Sequence, residues 1–298
     1  MSIKGYKAFN RGMICKGKQY EENTTYEENG NKICGAGVMH FCENPFDVLD
    51  YYPLIDEDGN ISDFADVEAI GDIYKGKDKT ATNKLHIGAK LGFKGFIKAC
   101  VDFTIEKTKV ETVKADDVGI SSGYYAKIGS SGYYAKIGSS GDYAQIVSSG
   151  DSAKIGSSGD YAQIGSSGDC AQIGSSGYSA KIGSSGDYAK IGSSGDSAKI
   201  GSSGDYAQIG SSGDSAKITS EGNNSVVMAA GCNSIAKAKI GSWITLAEWI
   251  RTDKANDSGN YIWIPKCVKT EYVDGERIKE DIFYKLVDGE FKEVESED

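Results

Sequence analysis

The sequence predicts a mainly β protein: a β-solenoid of nonapeptide repeats, two per coil, between an α+β N-terminal domain and a small antiparallel β cap. Three observations carry this reading. From Ser121 the chain repeats every nine residues, SSGYYAKIG, SSGYYAKIG, SSGDYAQIV and onward to SSGDSAKIT, eleven near-identical units over 99 residues. A period this short means stacked units, none of which can bury its apolar face alone. Gly makes up 39 of 298 residues while Pro makes up only 3, a balance that fits neither collagen nor a Pro-rich linker. Beyond the repeats, Asp274-Gly275 and Asp288-Gly289 sit between alternating apolar runs, the pattern of β-hairpins. The domain boundaries that follow are 1–115, 116–240 and 241–298.

In the N-terminal domain, Asn44-Pro45 followed by Phe46, Leu49 and Tyr52 joins an N-cap, a proline suited to the first helical position and an apolar spacing of three. A short helix ending near Pro53 is expected. Leu85, Ile87, Ala89, Leu91 and Phe93 alternate as a strand would, and Phe96, Ile97, Cys100, Val101 and Ile105 then switch to helical spacing. This second helix is expected to cap the first coil.

Within each repeat, Ala at the sixth place and Ile at the eighth fall on one face of a short strand, while the fifth and seventh places face outward. The Ser-Ser-Gly-Asp stretch reads as a turn, with Gly supplying positive φ and Ser and Asp bonding their own backbone. The fifth place partly alternates (Tyr143, Ser152, Tyr161, Cys170), which favours 18 residues per coil over a three-sided coil. Five and a half coils at about 4.8 Å each give a rod of roughly 26 Å. After Thr219 the period decays through SEGNNSVVM and AAGCNSIAK into AKIGSWITL, two worn coils leading into the cap. Residues 243–250 and 261–268 are expected to be strands.

The net charge of −10 divides as −4 over residues 1–120, −1 over 121–219 and −5 over 220–298. A near-neutral repeat tract argues against the solenoid as a nucleic-acid mimic, and no basic patch points to direct nucleic-acid binding. Residues 43–72 hold ten acids and no base, and residues 73–114 hold ten Lys against four acids, blocks that can face each other when folded. No run approaches the roughly 20 apolar residues of a bilayer span, and the start lacks a signal-peptide layout. Seven Cys without close pairing fit reduced thiols, so a cytoplasmic protein off the membrane is expected.

The stretches KGYKAFN, ICGAGVMHFCENPFDVLDYYP and FADVEAIGD, with a closing SWITLAEW, resemble a family of uncharacterised phage, prophage and Firmicute proteins. That family joins such an N-terminal domain to a variable number of short Gly-Ser/Thr repeats. The resemblance implies this architecture and a phage or mobile-element setting in a bacterial host. It implies no activity, cofactor or site residue.

Candidate chemistry is sparse. Cys15, Cys34, His40 and Cys42 could form a three-Cys, one-His zinc set, yet they lack a tight C-x-x-C knuckle, and buried small hydrophobes are the stronger reading. Asp56, Glu57, Asp58, Gly59 and Asn60, with Asp63 after them, have the flavour of a calcium loop; the Gly comes too early for an EF-hand, and a solvated turn is favoured. The calcium-binding nonapeptide needs Asp where these repeats place Ala. His40 and His86 are the only imidazoles, and no nucleophile elbow or P-loop is present, so no catalytic residue or cofactor is assigned. One enzymatic alternative rests on layout. A GVMH entry, a helix ending at Tyr51-Tyr52 and a VEAIG strand are similar to ADP-ribosyltransferase-type domains, where such parts frame a nicotinamide pocket.

The expectation is therefore a non-enzymatic interaction protein whose solenoid is a rigid spacer or docking surface for a host or virion protein. The partner-binding candidates are the outward Tyr125, Tyr134, Tyr143, Tyr161, Tyr188 and Tyr206, with Asp56, Glu57, Asp58 and Asp63 in the acidic stretch. Alternatives are a phage inhibitor of a host nuclease or defence system acting as an acidic mimic, and a virion or adhesin-like part that self-associates as a homo-oligomer.

Overall fold

The computed structural model describes residues 2–30, 37–56, 60–76, 79–108, 118–255 and 261–295, with backbone alone at 104–108, 118, 120 and 255. Two nine-stranded sheets run through the repeats and the C-terminal part. Successive nonapeptides alternate between them, and each strand pairs in parallel with the one 18 residues on, as Lys154–Ser157 does with Gln172–Ser175. Two units per coil is thus the observed architecture, with about seven turns over residues 127–246, the worn coils after Thr219 adding to those of the eleven repeats.

Each repeat strand is Lys/Gln-Ile-Gly-Ser, and its alternation sends the sixth, eighth and first residues of the unit inward. Ala162, Ile164 and Ser166 are all fully buried. The core is two facing rows of Ala and Ile, closed by Ile244, Leu246, Tyr284 and Leu286 of the C-terminal part.

The turns depart from the sequence reading in two ways. Positive φ falls on the fifth residue, for example Tyr188 and Ser197 at +57°, and not on the glycine of Ser-Ser-Gly. That glycine is required by close approach instead: a Cβ on Gly177 would stand 2.0 Å from the carbonyl oxygen of Gly159, one coil earlier. The fourth-place Asp is likewise an inter-coil clamp, since the Oδ1 of Asp187 accepts from the backbone N–H of Asp205 at 2.8 Å. Asp169, Asp196 and Asp205 make the same contact with the next coil.

The N-terminal unit is a four-stranded antiparallel sheet of Ile3–Phe9, Asp63–Ala69, Lys84–Lys90 and Thr24–Glu27. The predicted short helix is a 3₁₀ helix, Pro45–Asp50, whose Asn44 cap accepts from the Phe46 N–H at 3.1 Å. The strand expected to reach Phe93 stops at Lys90, because Gly92 turns the chain at φ +59° and opens the α-helix Gly92–Thr108. That helix packs on the first coil's strand Lys127–Ser130 and extends past it. It lies along one solenoid sheet, where Phe93 and Ile97 meet the glycines of two neighbouring coils, Gly183 and Gly165. The two sheets therefore differ: one is covered by the N-terminal domain and one is free.

The C-terminal cap is antiparallel, as predicted, and continues both sheets. Trp243–Ala255 pairs in parallel with Val226–Ala229 and then antiparallel with Tyr261–Tyr272, while Phe283–Val287 joins the covered sheet and pairs with Glu290–Val294. Asp288-Gly289 is the two-residue hairpin turn the sequence announces, with both φ positive at +53° and +73°. Asp274-Gly275 is not a hairpin turn but the crossing between sheets; the Asp274 carboxylate accepts from the N–H groups of Glu276, Arg277 and Ile278.

Candidate interaction surface and N-terminal cavity

The outward face of either sheet carries a column of Lys or Gln beside a column of Gly. On the covered sheet these columns are met by specific side chains. Asp47 pairs with Lys127 at 2.5 Å, and Asp50 accepts from Gln145 at 3.2 Å. Apolar side chains fill the glycine column. A Cβ would stand 2.6 Å from Ile97 at Gly165, 2.7 Å from Phe93 at Gly183 and 2.6 Å from Ile55 at Gly201. Polar ties continue to the far end, where Lys237 donates to Asn60 at 3.3 Å and Arg11 faces Glu221 at 3.6 Å.

The free sheet presents the same two columns to solvent. Lys136, Lys154, Gln172, Lys190 and Gln208 are exposed, and beside them run Gly138, Gly156, Gly174, Gly192 and Gly210. A Cβ added at Gly138, Gly156, Gly174 or Gly192 meets nothing within 4 Å. The face is a shallow trough with a floor of glycine and isoleucine, lined on one side by the polar column and ending on Val226 and Met228. Its C-terminal end is apolar: Val226, Met228, Trp243 and Tyr272 are all at least 40 % exposed.

The predicted tyrosine ladder divides between the two turn edges of the rod. Tyr125, Tyr143 and Tyr161 stack along one edge, with ring centres 5.1 and 4.9 Å apart. Tyr188 and Tyr206 stack at 5.0 Å on the other edge, where Tyr134 packs against its neighbour Tyr133. Because all these residues sit at a left-handed turn position, stacking follows from the inter-coil repeat and leaves one ring face or edge in water.

The acidic candidates have internal partners. Asp63 is buried, accepts from the N–H groups of Gly12 and Met13 and pairs with Lys90 at 2.8 Å. Asp56 accepts from the Asn60 N–H, closing a turn. Glu57, Asp58 and Gly59 lie outside the described residues. Opposite-charge blocks do face each other, as in Lys75 with Glu43.

Cys15, His40 and Cys42 fall near one another around one cavity of the N-terminal unit, and Cys34 lies outside the described residues. Among the described residues no group of three or more His, Cys, Asp or Glu is placed to hold a metal ion. What surrounds Cys15 and His40 is a cavity of about 530 Å³, assembled from segments far apart in the chain. Gly37 to His40 and Tyr51-Tyr52, two of the three parts of the transferase-like layout, line it; Val67 of the third part does not. Lys7, on the first strand, forms its back wall. Its side chain is buried, its ammonium donates to the His40 carbonyl at 2.9 Å, and burial pushes its pKa down. The Tyr52 hydroxyl donates to the Cys15 sulfur at 3.1 Å.

These features define a class: a β-solenoid rod with a small α+β domain fastened along one of its two sheets. Residues 3–99 match a family described as a domain of unknown function (DUF7666), so the match covers the N-terminal unit and leaves the repeats and cap outside it. No curated protein and no solved structure matches the chain. Among the described residues no helix is long and apolar enough to cross a membrane.

Proposed function

We propose that this is a non-enzymatic interaction protein whose free solenoid sheet is a docking surface for another protein. The observation that carries the reading is internal. The repeat strand is already a docking surface on the covered sheet, where carboxylates meet the Lys/Gln column and branched or aromatic side chains enter the glycine column. The free sheet offers the same columns with no occupant among the described residues. A matching partner presents an acidic row beside apolar knobs about 4.8 Å apart, and α-helical apolar residues at i and i+4 suit that step, as Phe93 and Ile97 do on Gly183 and Gly165. A phage or mobile-element protein binding a host or virion partner in the bacterial cytosol fits this arrangement. The six described cysteines are all free, which suits a reducing compartment. The acidic-mimic alternative draws less support, since Asp47 and Asp63 are engaged internally.

The test is affinity capture from a host lysate with the whole chain and with two variants. Gly156→Phe with Gly192→Phe fills the trough at positions where space is open, and Lys154→Glu with Lys190→Glu reverses the column. Loss of the same captured protein in both variants supports the reading; its retention in both refutes it.

A second reading, self-association, is favoured by the C-terminal ribbon. Residues 261–266 are exposed throughout, including Tyr261, Ile262, Trp263 and Ile264, and their strand is the outer edge of the free sheet. Unpaired apolar edges of this kind invite a second chain. Light scattering on the whole chain and on Trp263→Ser decides it: an oligomer that dissociates in the variant supports self-association, and a monomer in both excludes it.

A further inference from the structure

The cavity in the N-terminal unit has a chemistry of its own, and none of its lining residues belongs to the docking face. The chain as a whole is acidic, with 43 carboxylates against 33 Lys and Arg, yet Lys7, Lys16, Lys18 and Lys79 converge on this one cavity. Lys18 is balanced by Glu28 at 2.5 Å. Lys7, Lys16 and Lys79 have no carboxylate partner among the described residues. Burial, and then the nearby Lys79, Lys7 and Lys16 charges, hold the His40 imidazole below its usual pKa. Ammonium groups gathered without a carboxylate are costly to hold even where, as for the buried Lys7, a carbonyl and the Phe9 and Tyr20 rings offset part of the charge, and a bound anion lowers that cost.

The remaining wall is aromatic. Tyr20, Phe41, Tyr51 and Tyr52 line the same space, and Lys79 lies 4.8 Å from the Tyr51 ring centre. Ring faces bordering a cationic pocket suit a planar group that can stack while its charged end meets the lysines. A volume of about 530 Å³ is the size of a small organic ligand with a ring and a charged tail.

We propose that this cavity binds a small anion carrying a planar ring, of the nucleoside diphosphate class, with Lys16, Lys79 and Lys7 facing the phosphates and the tyrosine wall facing the ring. The sequence could not have shown this, because Lys7, Lys16, Tyr52 and Lys79 come from four separate segments.

The experiment is isothermal titration of the full chain with ADP, with GDP, CDP and UDP in parallel, and with inorganic phosphate and adenosine as the two halves of the ligand. Lys16→Ala and Lys79→Ala remove cations from the mouth without touching the core, and Lys84→Ala, an exposed lysine paired with Glu27 outside the cavity, is the control. The expected result is saturable binding of at least one diphosphate, weakened about tenfold by each of Lys16→Ala and Lys79→Ala and unchanged by Lys84→Ala, with phosphate and adenosine each far weaker. No heat with any of the four diphosphates at millimolar concentration overturns the proposal. So does binding that is indifferent to Lys16→Ala and Lys79→Ala, and inorganic phosphate binding as tightly as the diphosphates overturns the role given to the ring wall.

Discussion

Glycine to alanine substitutions at three places, alike in residue type and within nine positions of one another, should give three different outcomes. At Gly174, on the free sheet, the new methyl meets nothing within 4 Å. The loss of backbone freedom in the unfolded chain then dominates, and a gain of about 0.5–1 kcal/mol follows. At Gly183, on the covered sheet, the methyl stands 2.7 Å from the tip of the Phe93 ring. The ring and helix must shift, and overpacking of this kind costs about 1–3 kcal/mol. At Gly177 the obstacle is backbone, the Gly159 carbonyl oxygen at 2.0 Å. Relief requires the two coils to part by more than 1 Å there. Three inter-coil bonds flank the glycine across this gap: Ser176 N–H to Ser157 O at 3.0 Å, Tyr161 N–H to Tyr178 O at 2.8 Å and Tyr178 N–H to Asp160 Oδ1 at 2.7 Å. At about 1 kcal/mol net for each bond, the cost is about 3 kcal/mol. Because solenoid coils are coupled mainly to their neighbours, Gly177→Ala should also expose amides on either side of the break before the ends unfold. Urea denaturation followed by circular dichroism gives the order of stabilities, and hydrogen exchange gives the location. Equal stability of Gly177→Ala and Gly174→Ala would refute the close-approach account of the repeat glycine.

Other expectations follow from single contacts. Asp187→Ala removes the acceptor for the Asp205 N–H and should cost about 1 kcal/mol in urea melts, while Asp187→Asn keeps an acceptor oxygen and should recover most of it. Ser197→Asn places at φ +57° a residue that tolerates the left-handed region, as Asn224 and Asn233 already do in the worn coils, and should raise the melting temperature. The Glu248 carboxyl, which accepts from Lys266 at 2.7 Å and from the Gly289 N–H at 2.8 Å, is held at about 2, chiefly by the Lys266 contact. A depressed carboxyl stabilises the folded state above its ordinary value of 4.5, and that contribution is lost as pH falls toward about 2. The Gly289 amide resonance should therefore titrate with a midpoint near 2 and stop titrating in Glu248→Gln; a midpoint near 4.5 would contradict the contact.

Much of the rod was legible because its signals are local and repeated. The Ala-x-Ile alternation marks two of the three residues of each unit that enter the core, and the partial alternation of the fifth place favours two units per coil. Asp288-Gly289 needs only its own φ angles to make a hairpin, and Asn44-Pro45 needs only its own cap. The turn was harder. Gly is permissive toward positive φ, so a glycine in a turn invites that explanation, yet here the fifth residue carries the positive φ and Gly177 serves a contact 18 residues away. No local rule separates the two uses of glycine. Asp187 misled in the same way, since a turn carboxylate that bonds the next coil has the same sequence context as one that bonds its own loop.

By itself, then, the sequence determined the β-solenoid, its nine-residue period, its inward Ala and Ile and its antiparallel cap, because each depends on side chains within one coil or on a two-residue turn; the buried first-place Ser, such as Ser166, it did not show. It did not determine that the two sheets have different fates. KIGS at 154–157 and KIGS at 181–184 are the same four residues, and one strand is open to solvent while the other is covered by Phe93. Only the packing of the N-terminal domain along one side breaks that equivalence, with Asp47, Asp50, Ile55, Phe93 and Ile97 each registering on a different coil. The cavity around Lys7 has the same origin. Its lysines and tyrosines are ordinary surface residues in the sequence, and they become a cationic, aromatic site when the sheet and its loops bring distant segments within a few ångströms.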